Sequence, residues 1–245
     1  MAAPPEEDPQ RDEKIVEGCQ VYAQAAERAT QEERTISMDE LTGVQALERK
    51  HPDLPMLPRH VLRREFEYIR HGTLSWYLNL DVASGQIIEP SWGPTRGEQD
   101  CVAHLKRLVE SAPEVKRWHL MMDNLDTHRS EALVRWVADL EGIEQEALGK
   151  KGKRGILRSM ESRTVFLHDP SHRVVFYYTP KHASWMNQVE IWLSILARKL
   201  LKRGSFTSLD DLRDQILAFI AYYNRTMAKP IKWTYTGLAP DRGES

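Results

Sequence analysis

Residues 115–124 read VKRWHLMMDN, and residues 125–140 continue LDTHRSEALVRWVADL. The run from Trp118 to Met122 has the texture of a buried strand and stops at Asp123. The segment after it carries a helical pattern that Asp126 or Thr127 could cap. A strand that ends in a carboxylate and turns directly into a helix predicts an α/β sheet, with its chemistry at the strand's C-terminal end.

The same texture extends in both directions. Upstream, residues 99–111 place Val102, Leu105, Leu108 and Val109 at helical spacing before Ala112-Pro113 closes the segment. LSWYLNLDV sets Leu74, Trp76, Leu78, Leu80 and Val82 at strict period two and stops at an Ala-Ser-Gly turn. REFEYIRHGT before it predicts a separate short strand with a turn at His71-Gly72. TISM, residues 35–38, is a further strand that meets Asp39 and Glu40. Downstream, residues 141–163 contain GKKGKRG and little apolar periodicity, which predicts an exposed, mobile basic insertion. RTVFLHDPSHRVVFYYTP predicts two strands around a DPSH turn, and residues 184–201 a long helix. Residues 208–223 predict another helix, with Ser208 and Asp211 in capping positions. The order implies a mixed sheet covered by helices on both faces. One domain is expected over residues 35–237, with an acidic, partly helical leader over 1–34 that lies outside the core and a tail over 238–245.

Composition narrows the function classes. With 245 residues, 41% hydrophobic and 29% charged, the chain suits a single globular domain, and its twenty aromatic side chains argue against wholesale disorder. The longest pure apolar run, Val174–Tyr178, is far short of the roughly 20 residues a helix needs to cross a bilayer. MAAPPEEDPQRDEK is not a secretory signal. No membrane is expected as a partner, and a cytoplasmic location is. Cys19 and Cys101 match no metal spacing. The net charge of −2 hides a polarised chain. Residues 1–40 carry 4 basic and 11 acidic side chains, while residues 150–203 carry 12 basic and 3 acidic ones, a distribution compatible with a polyanion substrate.

Three carboxylates stand out. Asp39 and Asp123 each follow an apolar strand directly, and Glu190 sits in HASWMNQVEIWLSIL, where helical spacing puts Asn187, Glu190 and Ser194 on one face. A strand alternates its side chains, so Glu40 and Asn124 are expected on the opposite face from Asp39 and Asp123. If Asp39, Asp123 and Glu190 converge, they make an oxygen-only cluster of the kind Mg²⁺ or Mn²⁺ favours and two-metal phosphoryl transfer uses. A phosphatase with an aspartate nucleophile would call for a second acid at position 41, which is Leu41.

Five stretches then carry a resemblance: DELTGVQALER from Asp39, REFEYIRHGTLSWYLNLDVASG from Arg64, MDNLDTHRS from Met122, YYTPKHASWMNQVEIWLSILARKL from Tyr177, and FIAYYNRTMAKPIKWTYTG from Phe219. They resemble the successive blocks of a DDE transposase of the insertion sequence six-thirty branch of the Tc/mariner superfamily, over about residues 36–237. The resemblance implies a ribonuclease-H-like α/β fold. It implies Asp39, Asp123 and Glu190 as catalytic residues that hold two Mg²⁺ or Mn²⁺ ions, with Asn124, His128, His182, Trp185 and Asn187 lining or supporting the site. The spacing from Asp123 to Glu190 exceeds that of the compact mariner arrangement, and the excess maps to the basic insertion.

The implied reaction is cleavage of a phosphodiester at a transposon end, followed by attack of the freed 3′-hydroxyl on target DNA at a TA dinucleotide. Lys150, Lys151, Lys153, Arg154, Arg158, Lys181, Arg198, Lys199, Lys202 and Arg203 are the candidates for phosphate contacts to double-stranded DNA. Members of the branch place helix-turn-helix modules ahead of the core, and residues before Thr35 lack the three apolar helices such a module needs. A catalytic half is therefore expected, with the N-terminal DNA-binding module on a separate or fused chain and a homodimer assembling on DNA. An inactive remnant that binds without cutting is the alternative.

Overall fold

The Trp118–Met122 run becomes, with Arg117, the strand β4 (Arg117–Met122) of a five-stranded mixed sheet. The computed structural model describes residues 9–51, 67–181 and 183–237. Before β4 come helices α1 (Arg11–Ala23) and α2 (Ala25–Thr30), strands β1 (Glu33–Arg49), β2 (Tyr68–Asp81) and β3 (Ile87–Gly93), and helix α3 (Glu98–Glu110). After it come α4 (Glu131–Leu140), α5 (Met160–Leu167), β5 (Val174–Tyr178), α6 (Val189–Leu196) and α7 (Leu209–Thr226). The strand order is β3-β2-β1-β4-β5. Strands β1, β2 and β3 form an antiparallel meander, while β4 and β5 add in parallel on β1's other side. This is the mixed sheet that the order of elements implied.

Alternation along β4 sorts the two faces. Trp118, Leu120 and Met122 join Ile36, Met38, Val174 and Phe176 in a core closed by α3, α4 and α5. Met121 points the other way and packs with Val175, Tyr177 and the α1 residues Val21 and Tyr22. The period-two set of β2 behaves as its sequence requires: Trp76, Leu78 and Leu80 bury against Trp192 and Leu196 of α6 and Leu212, Ile216 and Ile220 of α7. Helix α7 is capped by Ser208, whose Oγ accepts from Asp211 N–H at 3.0 Å, and Asp211 in turn accepts from Thr207 N–H at 2.9 Å. Among the described residues no helix is long and apolar enough to cross a membrane.

Several local expectations are corrected. His71-Gly72 makes no turn; β2 runs straight through, and the register slips by one residue between the Gln45/Thr73 and Leu47/Arg70 pairs. The pair is a bulge, and Gly72 absorbs it at φ +116°. The third strand of the meander is instead Ile87–Gly93, at the sheet edge, where Pro90 is tolerated. RTVFL is helical: Ser159 caps α5 by accepting from Ser162 N–H at 3.2 Å, and Phe166 and Leu167 bury while Val165 is 73% exposed. Only the second predicted strand of that pair exists. Helix α4 begins after Ser130, whose Oγ accepts from Leu133 N–H, and Asp126–Arg129 forms a 3-10 turn ahead of it.

Two larger segments pack more tightly than their polarity suggests. The basic insertion is anchored by the fully buried Leu148 and Leu157 and by a Lys150/Arg154 bridge. The leader helix α1 lies on the sheet, with Ile15, Cys19, Val21 and Tyr22 buried, so residues 11–30 belong to the core layers. Residues 1–8 and 238–245, the ends of the expected leader and tail, lie outside the described residues.

Candidate active site

The ladder between β1 and β4 ends at the pair Ser37/Met121, whereas β1 continues its antiparallel pairing with β2 as far as Arg49/Tyr68. Asp39 therefore does not end its strand as expected; it sits where β4 leaves β1 and the sheet opens. Two residues beyond the last parallel pair in each strand are Asp39 and Asp123. Their equal offset gives them the pleat phase of Ser37 and Met121, which face the α1/α6 side. Each gives one carboxylate oxygen to a nearby backbone N–H: Asp39 Oδ1 accepts from Glu40 at 2.7 Å and Asp123 Oδ1 from Leu125 at 3.1 Å. Among the described residues, no hydrogen bond reaches either Oδ2.

Glu190 arrives from the first turn of α6. The single helix expected over 184–201 is divided into a 3-10 turn at Ser184–Met186, helix α6, and a π-helical turn at Ala197–Leu201. The break at Asn187 has a cause. Asn187, only 1% exposed, accepts from Ser37 Oγ at 2.5 Å and donates to Met38 O at 3.1 Å, while Ser37 Oγ accepts from Val189 N–H at 3.0 Å. These bonds staple the start of α6 to β1 immediately before Asp39. Asn187 thus leaves the helical face it was expected to share with Glu190, and in doing so it fixes where Glu190 stands.

The three carboxylates sense one another. Burial, and then the charges of Asp123 and Glu190, push the Asp39 carboxyl up to about 7 despite the Glu40 N–H. Glu190 is raised too, by burial and by Asp123, against a hydrogen bond from Ser184. Asp123 behaves differently because it has a cation. Burial would raise it, but the hydrogen bond and charge of His128 outweigh that and hold it below the usual range. His128 Nδ1 lies 2.8 Å from Asp123 Oδ1, and Nε2 lies 3.2 Å from Glu40 Oε1. Burial alone would depress this imidazole; its two carboxylate partners carry it up to about 9.

The remaining expected residues separate. Asn124 donates to Thr179 O, and its own carbonyl accepts from Arg129 at 2.8 Å, so it ties the end of β4 to its surroundings. Trp185 is 47% exposed, its ring 5.6 Å from that of Tyr235. His182 lies outside the described residues. Lys181 is exposed just beyond β5. Lys150, Lys151, Lys153, Arg154 and Arg158 are exposed on the insertion, whose Leu148 and Leu157 pack on the α3–α5 face. Arg198, Lys199, Lys202 and Arg203 are exposed on or beside the π-helical turn, whose Leu200 and Leu201 pack on the opposite face. The basic belt of the sequence is thus two patches on different faces of the sheet. Sequence reasoning missed Ser37, Arg96 and above all Glu40. Glu40 does turn to the opposite face from Asp39, as alternation requires, but His128 reaches around the end of β4 to join the two sides.

The donor set suits a hard divalent cation in kind: three carboxylates, two of them with one oxygen uncommitted, and mutual repulsion that a cation would relieve. It is an open set. Among the described residues no three acidic, histidine or cysteine side chains stand close enough to enclose an ion as they are.

A ribonuclease-H-like sheet with acidic side chains where β4 leaves β1 defines the class of fold. The family model of the DDE superfamily endonucleases matches residues 34–213, and the chain belongs to that family. Its fold is that of the mariner transposase catalytic domain. The crystal structure of the catalytic domain of Mos1 mariner transposase superposes with a TM-score of 0.51 at 12% identity, covering 90% of this chain and 85% of that one. A Mos1 transposase paired-end complex with the left transposon end gives 0.52 at 13%, covering 95% and 60%. The Mos1 mariner paired-end complex with Mn gives 0.50 at 14%, covering 91% and 58%. The chain therefore spans about 60% of the length of the Mos1 chains in those end complexes. No curated protein sequence matches the chain.

Proposed function

We propose that this chain is the catalytic domain of a transposase of the insertion sequence six-thirty branch, cutting DNA strands at transposon ends and joining the freed 3′ end to target DNA. The observation that carries the proposal is the equal offset of Asp39 and Asp123 beyond the Ser37/Met121 pair, with Glu190 stapled beside them through Asn187. Asp39, Asp123 and Glu190 would hold Mg²⁺ or Mn²⁺, two ions by family resemblance; the Mn in a Mos1 paired-end complex supports a divalent ion here. When bound, the ions supply activation of an attacking oxygen and charge stabilisation at the scissile phosphate.

The chain's own residues do the rest. Backbone N–H groups of Glu40 and Leu125 orient the two aspartates, and Asn187 orients Glu190. The two basic patches take DNA backbone on different sides of the sheet, which suits one duplex of transposon end and one of target, with TA as the target dinucleotide by resemblance. The transposon end in the Mos1 complex supports DNA as partner. An N-terminal DNA-binding module, on this chain's own extension or on a separate one, would read the terminal repeat, and a homodimer on DNA would pair two ends. The protein would act in the cytoplasm, associated with the nucleoid when bound to DNA.

The test is nicking and strand transfer on a supercoiled plasmid that carries the DNA flanking the coding sequence, with Mg²⁺ or Mn²⁺. Metal-dependent nicks that vanish with Glu190→Gln support the proposal. A wild-type chain that binds this DNA and never nicks it in either metal is the inactive remnant instead.

A further inference from the structure

Glu40 belongs to no part of the proposed triad, yet its side chain is 2% exposed, far more deeply buried than that of its catalytic neighbour Asp123. A carboxylate is costly to bury unless something nearby needs it. Its Oε1 meets Nε2 of His128, a ring with no exposure at all, and Arg96 stands 3.5 Å from Oε2 on the solvent side. We propose that Glu40 is a positioning residue for Asp123: it fixes His128 so that Nδ1, hydrogen-bonded to the Asp123 backbone carbonyl at 3.3 Å, stays 2.8 Å from Asp123 Oδ1 and holds that carboxylate in place. The inference rests on the proposed triad and deepens it.

The chemistry of imidazole makes the link directional. A neutral ring carries one N–H, and whichever nitrogen lacks it presents a lone pair. Facing a carboxylate at each end, the ring satisfies both only with N–H on both nitrogens. With an amide in place of the Glu40 carboxylate, the partner of Nε2 can donate as well as accept, and the ring's proton has no fixed side. A lone pair turned toward Asp123 would repel the oxygen it now holds. The ring cannot swing to compensate, since Tyr178 OH donates to His128 O at 2.8 Å and the side chain is enclosed. Leu125 N–H and His128 Nδ1 converge on the same oxygen, so together they set the carboxylate's rotation rather than its charge alone. Groups that orient a metal ligand in this way are worth 10- to 100-fold in metal affinity.

The experiment is Mn²⁺ binding by electron paramagnetic resonance on the full chain, for wild type, Glu40→Gln, His128→Asn and the double variant, with the melting temperature in chelator recorded for each. Positioning predicts that Glu40→Gln weakens Mn²⁺ binding about tenfold, and that in the His128→Asn background it weakens it no further. Should Glu40→Gln fail to fold, Glu40→Asp, which keeps the charge but withdraws it by one methylene, carries the same comparison. Affinity unchanged in the folded Glu40 variant, or an equal loss in both backgrounds, overturns the role assigned to Glu40 while leaving the triad intact. A wild-type chain that binds no Mn²⁺ overturns the triad as well, so the two failures are told apart by the wild-type result.

Discussion

Asp39 and Asp123 stand two residues beyond the same bonded pair of neighbouring strands, and each has one oxygen tied to a backbone N–H and the other uncommitted among the described residues. The backbone fixes their orientation before any cation or substrate arrives. Among the described residues, the positive charges that lower the Asp123 carboxyl are those of His128 and Arg129, and His128 also acts on Asp39. Replacing Asp39 by Asn removes a charge that burial and two like charges disfavour. The variant should be more stable than wild type in chelator at pH 8, by on the order of 1–2 kcal/mol, and should lose at least a thousandfold in metal-dependent nicking. Urea melts with and without Mn²⁺ check both halves: the metal should stabilise wild type and leave Asp39→Asn unmoved.

Asn187→Ala should be costly, because Asn187 is 1% exposed and bonded to β1. The substitution takes the acceptor from Ser37 Oγ and a donor from Met38 O in a place closed to water, and leaves the Val189 N–H to Ser37 Oγ bond as the remaining one of the three bonds that staple α6 to β1. We expect a loss of about 2–3 kcal/mol in urea melts. At temperatures where the variant is fully folded, nicking should still fall more than tenfold, because Glu190 is no longer held against β1.

His104 should make the fold sensitive to acid. Its Nε2–H donates to Asn79 Oδ1 at 3.0 Å, its Nδ1 accepts from Ser91 Oγ at 2.8 Å, and it stacks on Tyr77. Burial, with a smaller push from Arg107, lowers it from 6.5 to about 3. The unfolded chain then takes up a proton that the folded chain refuses between those two values. Stability is full above pH 6.5 and falls as the pH drops toward 3, by on the order of 4 kcal/mol from this group. His104→Gln should flatten that part of the profile in urea melts taken from pH 7 to pH 4.

Neutralising the insertion should change DNA affinity without changing the fold. Lys150, Lys153 and Arg154 are exposed around a small bridge that Leu148 and Leu157 hold in place. If all three touch phosphates, converting them to Ala should reduce the slope of log affinity against log salt by about 2.7, at ~0.9 per contact. The melting temperature should stay within a degree or two. Leu157→Ala, by contrast, should destabilise the chain by about 2–5 kcal/mol through the cavity it leaves.

Much of the sheet was legible because its strands obey simple alternation. Leu74, Trp76, Leu78, Leu80 and Val82 announce a half-buried strand, and Trp118–Met122 announces a fully buried one. The acids at strand openings were legible for the same reason, since Asp39 and Asp123 interrupt apolar runs. What failed was decided by partners far away in sequence. Thr164, Val165 and Phe166 favour a strand by type, but Ser159 supplies a helix cap, and Phe166 and Leu167 bury in the core from a helix instead. His71-Gly72 looks like a turn, and only the pairing with Gln45 and Leu47 turns it into a bulge. The polar leader and the lysine-rich insertion hide a few anchors, Tyr22, Leu148 and Leu157, among many charges. Glu40 was set aside because a strand turns it away from Asp39; nothing local says that His128 reaches around to meet it.

The account stands on three carboxylates holding one metal centre, and the most direct measurement replaces that metal with Fe²⁺. In ascorbate and peroxide, bound Fe²⁺ cleaves the backbone nearest to it, and mass spectrometry of the fragments reads the ion's position without any substrate. Cuts clustered at residues 38–40, 122–124 and 188–191, all lost together in Glu190→Gln and suppressed by excess Mg²⁺, are the predicted result. Cuts confined to other segments, or the same three clusters persisting undiminished in Glu190→Gln, would contradict it.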